Sequence, residues 1–202
     1  MGVLCMERIS QSIVDFISRN MTIDDEEMFD VYKYGIEITL SSVLNFVLII
    51  ISSLILRDIT AGAVFMVLFI FLRSYTGGYH AETYLRCNIA FVCTFFITYF
   101  IAKLFEYIDS DISIFAITAI SYIPIWIFSP VKNRHKVLNE KKQKRSRIIS
   151  TVIYFLSLIM IVLLCLHNIK YGYLLAATDI AVSVLILVEV YMQKKGYHPS
   201  GD

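Results

Sequence analysis

Apolar residues in this chain come in long unbroken runs between short polar stretches, not in the alternation of a half-buried strand or the stripe of a water-facing helix. Runs at 36–56, 88–105, 112–128, 148–166 and 171–191 are each long enough, at about 1.5 Å per residue, to cross a hydrocarbon layer of roughly 30 Å. A sixth run, 60–72, has a length compatible with a full span, a re-entrant segment or a buried half-helix. The pattern predicts an all-α fold: a polytopic integral membrane helical bundle of about six transmembrane or re-entrant helices. Pro124 is predicted to kink the fourth span and Pro130 to end it. The first 34 residues differ, because Ile9, Ile13, Phe16 and Ile17 share a helical face while Glu7, Arg8, Gln11 and Arg19 occupy others. An interfacial amphipathic helix is expected there. The acidic stretch that follows, Asp24, Asp25, Glu26, Glu27 and Asp30, reads as a solvated linker or the cap of a second short helix. The expected layout is an interfacial segment over 1–34, a membrane domain over 35–192 with a basic loop at 131–147, and a tail at 193–202.

Composition agrees, with 57% hydrophobic and only 17% charged residues, too apolar for an ordinary soluble domain of 202 residues. The N-terminus lacks the continuous apolar stretch of a cleavable signal, so the first span is expected to direct insertion. Charge then orients the spans. Lys132, Arg134, Lys136, Lys141, Lys142, Lys144, Arg145 and Arg147 are opposed only by Glu140, which marks their segment as cytosolic. Counting spans outward puts both termini and residues 73–87 in the cytosol, and the turn holding Asp109 and Asp111 outside. The net charge of +1 and the position of the basic residues between spans give no nucleic-acid surface.

The candidate chemistry lies in Arg73-Ser-Tyr-Thr-Gly77-Gly78-Tyr-His80-Ala-Glu82-Thr-Tyr-Leu-Arg-Cys87. Adjacent glycines can break a helix or admit a ligand close to the backbone. A histidine titrates near neutral pH and can act as a base, and a cysteine thiolate is a strong nucleophile, so His80 and Cys87 have the parts of a cysteine peptidase. The plainer reading makes His80 an interfacial polar residue and Cys87 a small buried hydrophobe. A metal centre wants three or four ligands, whereas His135, His167 and His198 are scattered; no metal or cofactor is expected. Asp179 is the one deeply placed charge in a span, while Lys103, Glu106 and Glu189 lie near span ends, within reach of water. Cys5, Cys93 and Cys165 read as interfacial or buried thiols with no structural disulfide.

The run Arg73-x3-Gly77-Gly78-x-His80-Ala81, with Cys87 six residues further on and apolar spans after it, resembles the accessory gene regulator B (AgrB) family of Gram-positive quorum sensing. The resemblance extends over nearly the whole chain. It implies that Cys87 is the nucleophile, that His80 is its base, and that Arg73 and Gly78 stand at positions needed for activity. It further implies a membrane endopeptidase that removes the C-terminal part of a short pro-peptide and helps close a thiolactone or lactone ring. Glu82 and Asn88 are candidates to orient His80, and the sequence does not choose between them. The expected partners are a short amphipathic pro-peptide and the lipid bilayer.

Spacing makes one further demand. In a single regular helix, residues 80 and 87 would share a face, yet their Cα atoms would stand about 10.5 Å apart, too far for direct proton transfer. A bend between Gly77 and Cys87 is therefore predicted; the alternatives are a bridging water or a homodimer whose second protomer supplies His80. The rival to an enzyme is a non-enzymatic peptide exporter or carrier with Arg73, His80 and Asp179 along its path. Such a protein would show paired broken helices in two similar halves, and no such repeat is evident in the sequence.

Overall fold

The computed structural model describes residues 12, 26–77, 84–108, 111–131, 139–167 and 169–195. Its helices are α1 (Glu26–Ile55), α2 (Ile59–Thr76), α3 (Tyr84–Ile108), α4 (Asp111–Ile120), α5 (Tyr122–Phe128), α6 (Glu140–Leu166) and α7 (Tyr171–Lys194). With α4 and α5 taken as one broken element, six are long and apolar enough to cross a membrane. Large apolar side chains such as Ile55, Val67, Phe100, Trp126 and Leu166 stay exposed on the outside of the bundle. In water that surface would be a severe liability; in a bilayer it faces its proper solvent. The protein is accordingly a multi-pass membrane protein.

The hub is α7, which packs against α2, α3, α4, α5 and α6, while α1 lies at the periphery against α2 and α3. Its buried positions include Gly172, Ala176, Ala177, Thr178 and Ser183. Small residues let helix backbones approach where lipid supplies no hydrophobic drive to association. Between α2 and α3 the core is aromatic: the Phe65 ring centroid lies 5.1 Å from that of Phe69 and 5.1 Å from that of Phe95.

Four sequence expectations are refined by the structure. The run at 60–72 extends to a helix of 18 residues, a full-length span, because Arg73 to Thr76 continue it. Glu26, Glu27 and Asp30 belong to α1, so the boundary expected at residue 34 falls inside a continuous helix; the amphipathic stretch before it lies outside the described residues except Ser12, which is helical and exposed. Part of the basic loop expected over 131–147 is helix, since α6 begins at Glu140 and Lys141 to Arg147 form its first two turns. Lysine, arginine, glutamine and glutamate are good helix formers, so this end is built to continue beyond the hydrocarbon.

The break in the fourth span falls at Ser121, three residues before Pro124. Proline has no N–H for the Ile120 carbonyl and its ring crowds that group. Neighbouring side chains take up the exposed backbone: Ser121 Oγ donates to the Thr118 carbonyl (2.7 Å), the Tyr154 hydroxyl reaches the same oxygen, and Ser183 donates to the Ser121 carbonyl. Near this network Asp179 is fully buried and accepts a 2.7 Å hydrogen bond from Ser157 Oγ, fastening α6 to α7.

At the end where α2 and α7 begin, Asp58 caps α2 by accepting from the Ala61 N–H (3.1 Å), and it also binds Lys170 Nζ (2.9 Å) and the Tyr171 hydroxyl (3.0 Å). Burial pushes its carboxyl up, but these three donors outweigh that and hold it below the usual carboxylate range. A small, half-open pocket beside it is lined by Asp58, Tyr99, Lys103, Glu106, Lys170 and Tyr171. It opens at the opposite end of the helices from Cys87, so it is not the place for cysteine chemistry.

Candidate functional site

The site assembles at the end of α2 and the start of α3. Gly77 takes φ +73° and ψ −149°, and its N–H closes α2 by donating to the Arg73 carbonyl at 3.0 Å. That backbone region is open essentially to glycine alone, so the helix stops here by the choice of residue. The predicted interruption before Cys87 is thus present at Gly77, and the described part of α3 begins at Tyr84. Gly78, His80 and Glu82 lie outside the described residues.

The break is braced from another helix. The Val131 N–H, just past α5, donates to the Thr76 carbonyl at 3.0 Å, and Arg147 Nε in α6 donates to the Ser129 carbonyl at 2.9 Å. The segments around 73–77 and 140–147, expected on one side of the membrane, therefore meet at one end of the bundle. A Cβ added at Gly77 would lie 3.3 Å from the Val131 carbonyl oxygen. Gly77→Ala is expected to cost about 1–3 kcal/mol through backbone strain and this contact. Thermal unfolding in detergent micelles measures it; a parent-like midpoint would mean that the bend does not depend on glycine.

Cys87 stands one turn into α3, partly exposed. From α2, Arg73 lies within electrostatic range of Cys87 and Glu189. Its guanidinium carbon lies 5.5 Å from the centroid of the Phe69 ring, one turn earlier on the same helix. Glu189 was expected to reach water near the end of its span, but it is only 7% exposed, and its Oε1 accepts from Gln193 Nε2 at 2.9 Å. The sequence left it out of the site. Counting spans would have placed it at the depth of Arg73, since both stand about one turn before the ends of helices that finish at the same face.

Asn88 points away from solvent, 2% exposed, and its Oδ1 accepts from Ser41 Oγ at 2.8 Å, tying α3 to α1. Its Nδ2 has no partner among the described residues, next in the chain to Cys87. Lys103 and Glu106 pair at 2.8 Å, far from the site and about half exposed. Cys93, further along α3, and Cys165, at the far end of α6, are free thiols. Among the described residues no three histidine, cysteine or acidic side chains converge as metal ligands would.

Comparison with known proteins follows the same residues. The model of the family described as accessory gene regulator B matches residues 10–191. An AgrB-like protein of Lactiplantibacillus plantarum is 25% identical over 193 residues, covering 96% of this chain and 92% of its own length. One from Listeria innocua is 30% identical over 155 residues, 72% of each chain, and a second AgrB-like protein of Clostridium perfringens is 24% identical over 168 residues, 78% of each. No solved structure matches the chain.

Proposed function

This chain belongs to the accessory gene regulator B family, and from that premise we propose that it is a membrane cysteine endopeptidase acting on a quorum-sensing pro-peptide. Family membership already implies a part in agr peptide processing; the residue roles are the further step. The observation that supports them is the helix break at Gly77, between Arg73 and Cys87 in the chain, with Cys87 within electrostatic range of Arg73.

The Cys87 thiolate attacks the scissile carbonyl, and charge develops on its oxygen near Arg73. His80 takes the thiol proton and passes it to the leaving amine; the C–N bond breaks and a C–S bond remains, an acyl-enzyme thioester. Glu82 or Asn88 orients His80, through an oxygen that accepts the ring N–H facing away from Cys87. If water is excluded, a cysteine or serine side chain within the bound peptide attacks the thioester, releases Cys87 and closes the ring. The substrate is a short amphipathic pro-peptide held on the inner leaflet, with the basic first turns of α6 attracting an acidic tail. Both termini and the site face the cytosol.

Co-expression with small peptides encoded beside this gene, followed by mass spectrometry of cells and medium, tests the reading. A peptide shortened at its C-terminus and lighter by the water lost in cyclisation is expected. His80→Ala should lower its yield by about 10²- to 10⁴-fold. Mixing His80→Ala with Cys87→Ala chains should restore nothing, because one chain holds both groups; recovery would move His80 to a second protomer. A peptide that leaves the cell uncut, in amounts unaffected by either change, would favour an exporter.

A further inference from the structure

We infer that Asp179 is a proton-binding site in the middle of the bundle, filled and emptied from the end that carries Arg147 along a line of hydroxyls on α6. Asp179 is fully buried and stands about 12 Å along the axis of α7 from Tyr171. Its Oδ2 meets Ser157 Oγ at 2.7 Å, and its Oδ1 has no hydrogen-bond partner among the described residues. A carboxylate at membrane depth with one neutral donor is too costly to keep as an ion; it takes a cation or a proton. The elements packed on α7 bring no cation to this depth. From α6 the titratable neighbour is Tyr154, and from α5 it is Tyr122, whose ring centroid lies 5.2 Å from that of Tyr154. Asp111 is at the far start of α4, and Arg73 is in the last turn of α2. On α3, Arg86 and Cys87 lie near one end, Lys103 and Glu106 pair with each other near the opposite end, Cys93 is exposed, and Tyr99 lines the pocket beside Asp58. On α7 itself Glu189 is about 15 Å further along. A proton is therefore the ligand, and the contact to Ser157 serves both charge states, since a hydroxyl donates as well as accepts.

The route follows α6. Arg147, Ser150, Tyr154 and Ser157 recur at steps of three and four residues and so share one face. Arg147 is exposed at the basic end, and the other three are buried. Ser150 Oγ lies 3.3 Å from Ser129 Oγ, the Tyr154 hydroxyl lies 2.6 Å from Ser121 Oγ at the break in the fourth span, and Ser157 reaches Asp179. Successive links stand about 5–6 Å apart between Cβ atoms, a step that one water spans. Ile161, buried one turn beyond Ser157 on the same face, ends the line, so access is from one side. Filling moves one proton from water at the basic end onto a carboxylate oxygen and makes the site neutral; emptying reverses it, and only O–H bonds form and break.

The test is infrared spectroscopy of the full chain in lipid bilayers at neutral pH. The difference between the parent and D179N, which keeps the shape of the neutral acid, should show one carbonyl stretch of a protonated carboxylic acid that D179N lacks. Ser157→Ala leaves the carboxyl in place and should shift that band to higher frequency by removing its hydrogen bond, which identifies the band even if D179N fails to accumulate. In heavy water the parent band should move to lower frequency as the proton exchanges, and Ser150→Ala should slow that shift several-fold. Exchange at the parental rate in Ser150→Ala would overturn the route along α6. A carboxylate stretch lost in D179N with no acid band would overturn the site itself. So would an unfolding midpoint that rises when sodium replaces choline in the parent but not in D179N, the behaviour of a metal cation on the carboxylate.

Discussion

Alanine at position 87 is expected to abolish peptide processing, by about 10³-fold or more, while the chain inserts and accumulates normally. Neither Cys93 nor Cys165 stands at that point: Cys93 lies six residues further along α3 and Cys165 at the far end of α6, away from the Gly77 break. Alanine at either of those positions should leave processing within a few-fold of the parent. The abundance of the variant should not change, because Cys87 is partly exposed and closes no core contact that alanine would empty. The same substitution set, read by mass spectrometry of the released peptide, separates a nucleophile from a merely well-packed thiol. Loss of processing on Cys93→Ala or Cys165→Ala with normal insertion would put the nucleophile elsewhere.

The largest structural effect is expected at Gly62, where α2 crosses α1. A Cβ there would lie 1.9 Å from Ser53 Oγ, 3.0 Å from Ser53 Cβ and 3.3 Å from Ile49 Cγ2. Ser53 is buried and bonded to the Ile49 carbonyl at 2.6 Å, and Ile49 is in the core, so the near side cannot give way without separating the helices. Gly62→Val should destabilise by about 1–3 kcal/mol or more, the usual size of overpacking, and lower the unfolding midpoint in micelles. Ser53→Ala introduced with Gly62→Ala should recover part of the loss, because the closest clash is with the hydroxyl. An unchanged midpoint for Gly62→Val would mean that α1 and α2 do not approach as closely as this.

Much of the bundle was legible because a lipid-facing helix announces itself by length and uniform apolarity, and each of the six runs became a helix or, at 112–128, a pair of them. The ends were less legible. Hydropathy stops at Arg73, but the helix stops at Gly77, where backbone geometry and not polarity changes. It likewise starts α6 late, since Lys141 to Arg147 are polar yet good helix formers. Pro124 signalled a kink, while its location at Ser121 follows from the carbonyl that a proline strands one turn back.

In the site, the glycine pair with His80 and Cys87 carried the pattern in the sequence. The sequence gives Arg73 only as a position the resemblance marks as needed for activity, and Glu189 as a charge near a span end. Their relation could not be read from local sequence, because it depends on α2 and α7 packing side by side. The same holds for Ser41, which was one more hydroxyl in an apolar run until α1 settled on α3 and met Asn88. Polar residues that bind their own helix, as Ser42 does to the Ile38 carbonyl at 2.8 Å, look identical in sequence to those that bridge two helices.

The central claim is a covalent peptide on Cys87, and intact-protein mass spectrometry of the chain co-expressed with its pro-peptide and quenched in acid tests it most directly. A thioester to the N-terminal part of the peptide should be found on Cys87, released by neutral hydroxylamine and replaced by a stable ester in Cys87→Ser if that hydroxyl is acylated at all. Processing that continues with no adduct on Cys87, or with the acyl group on another residue, would contradict the mechanism.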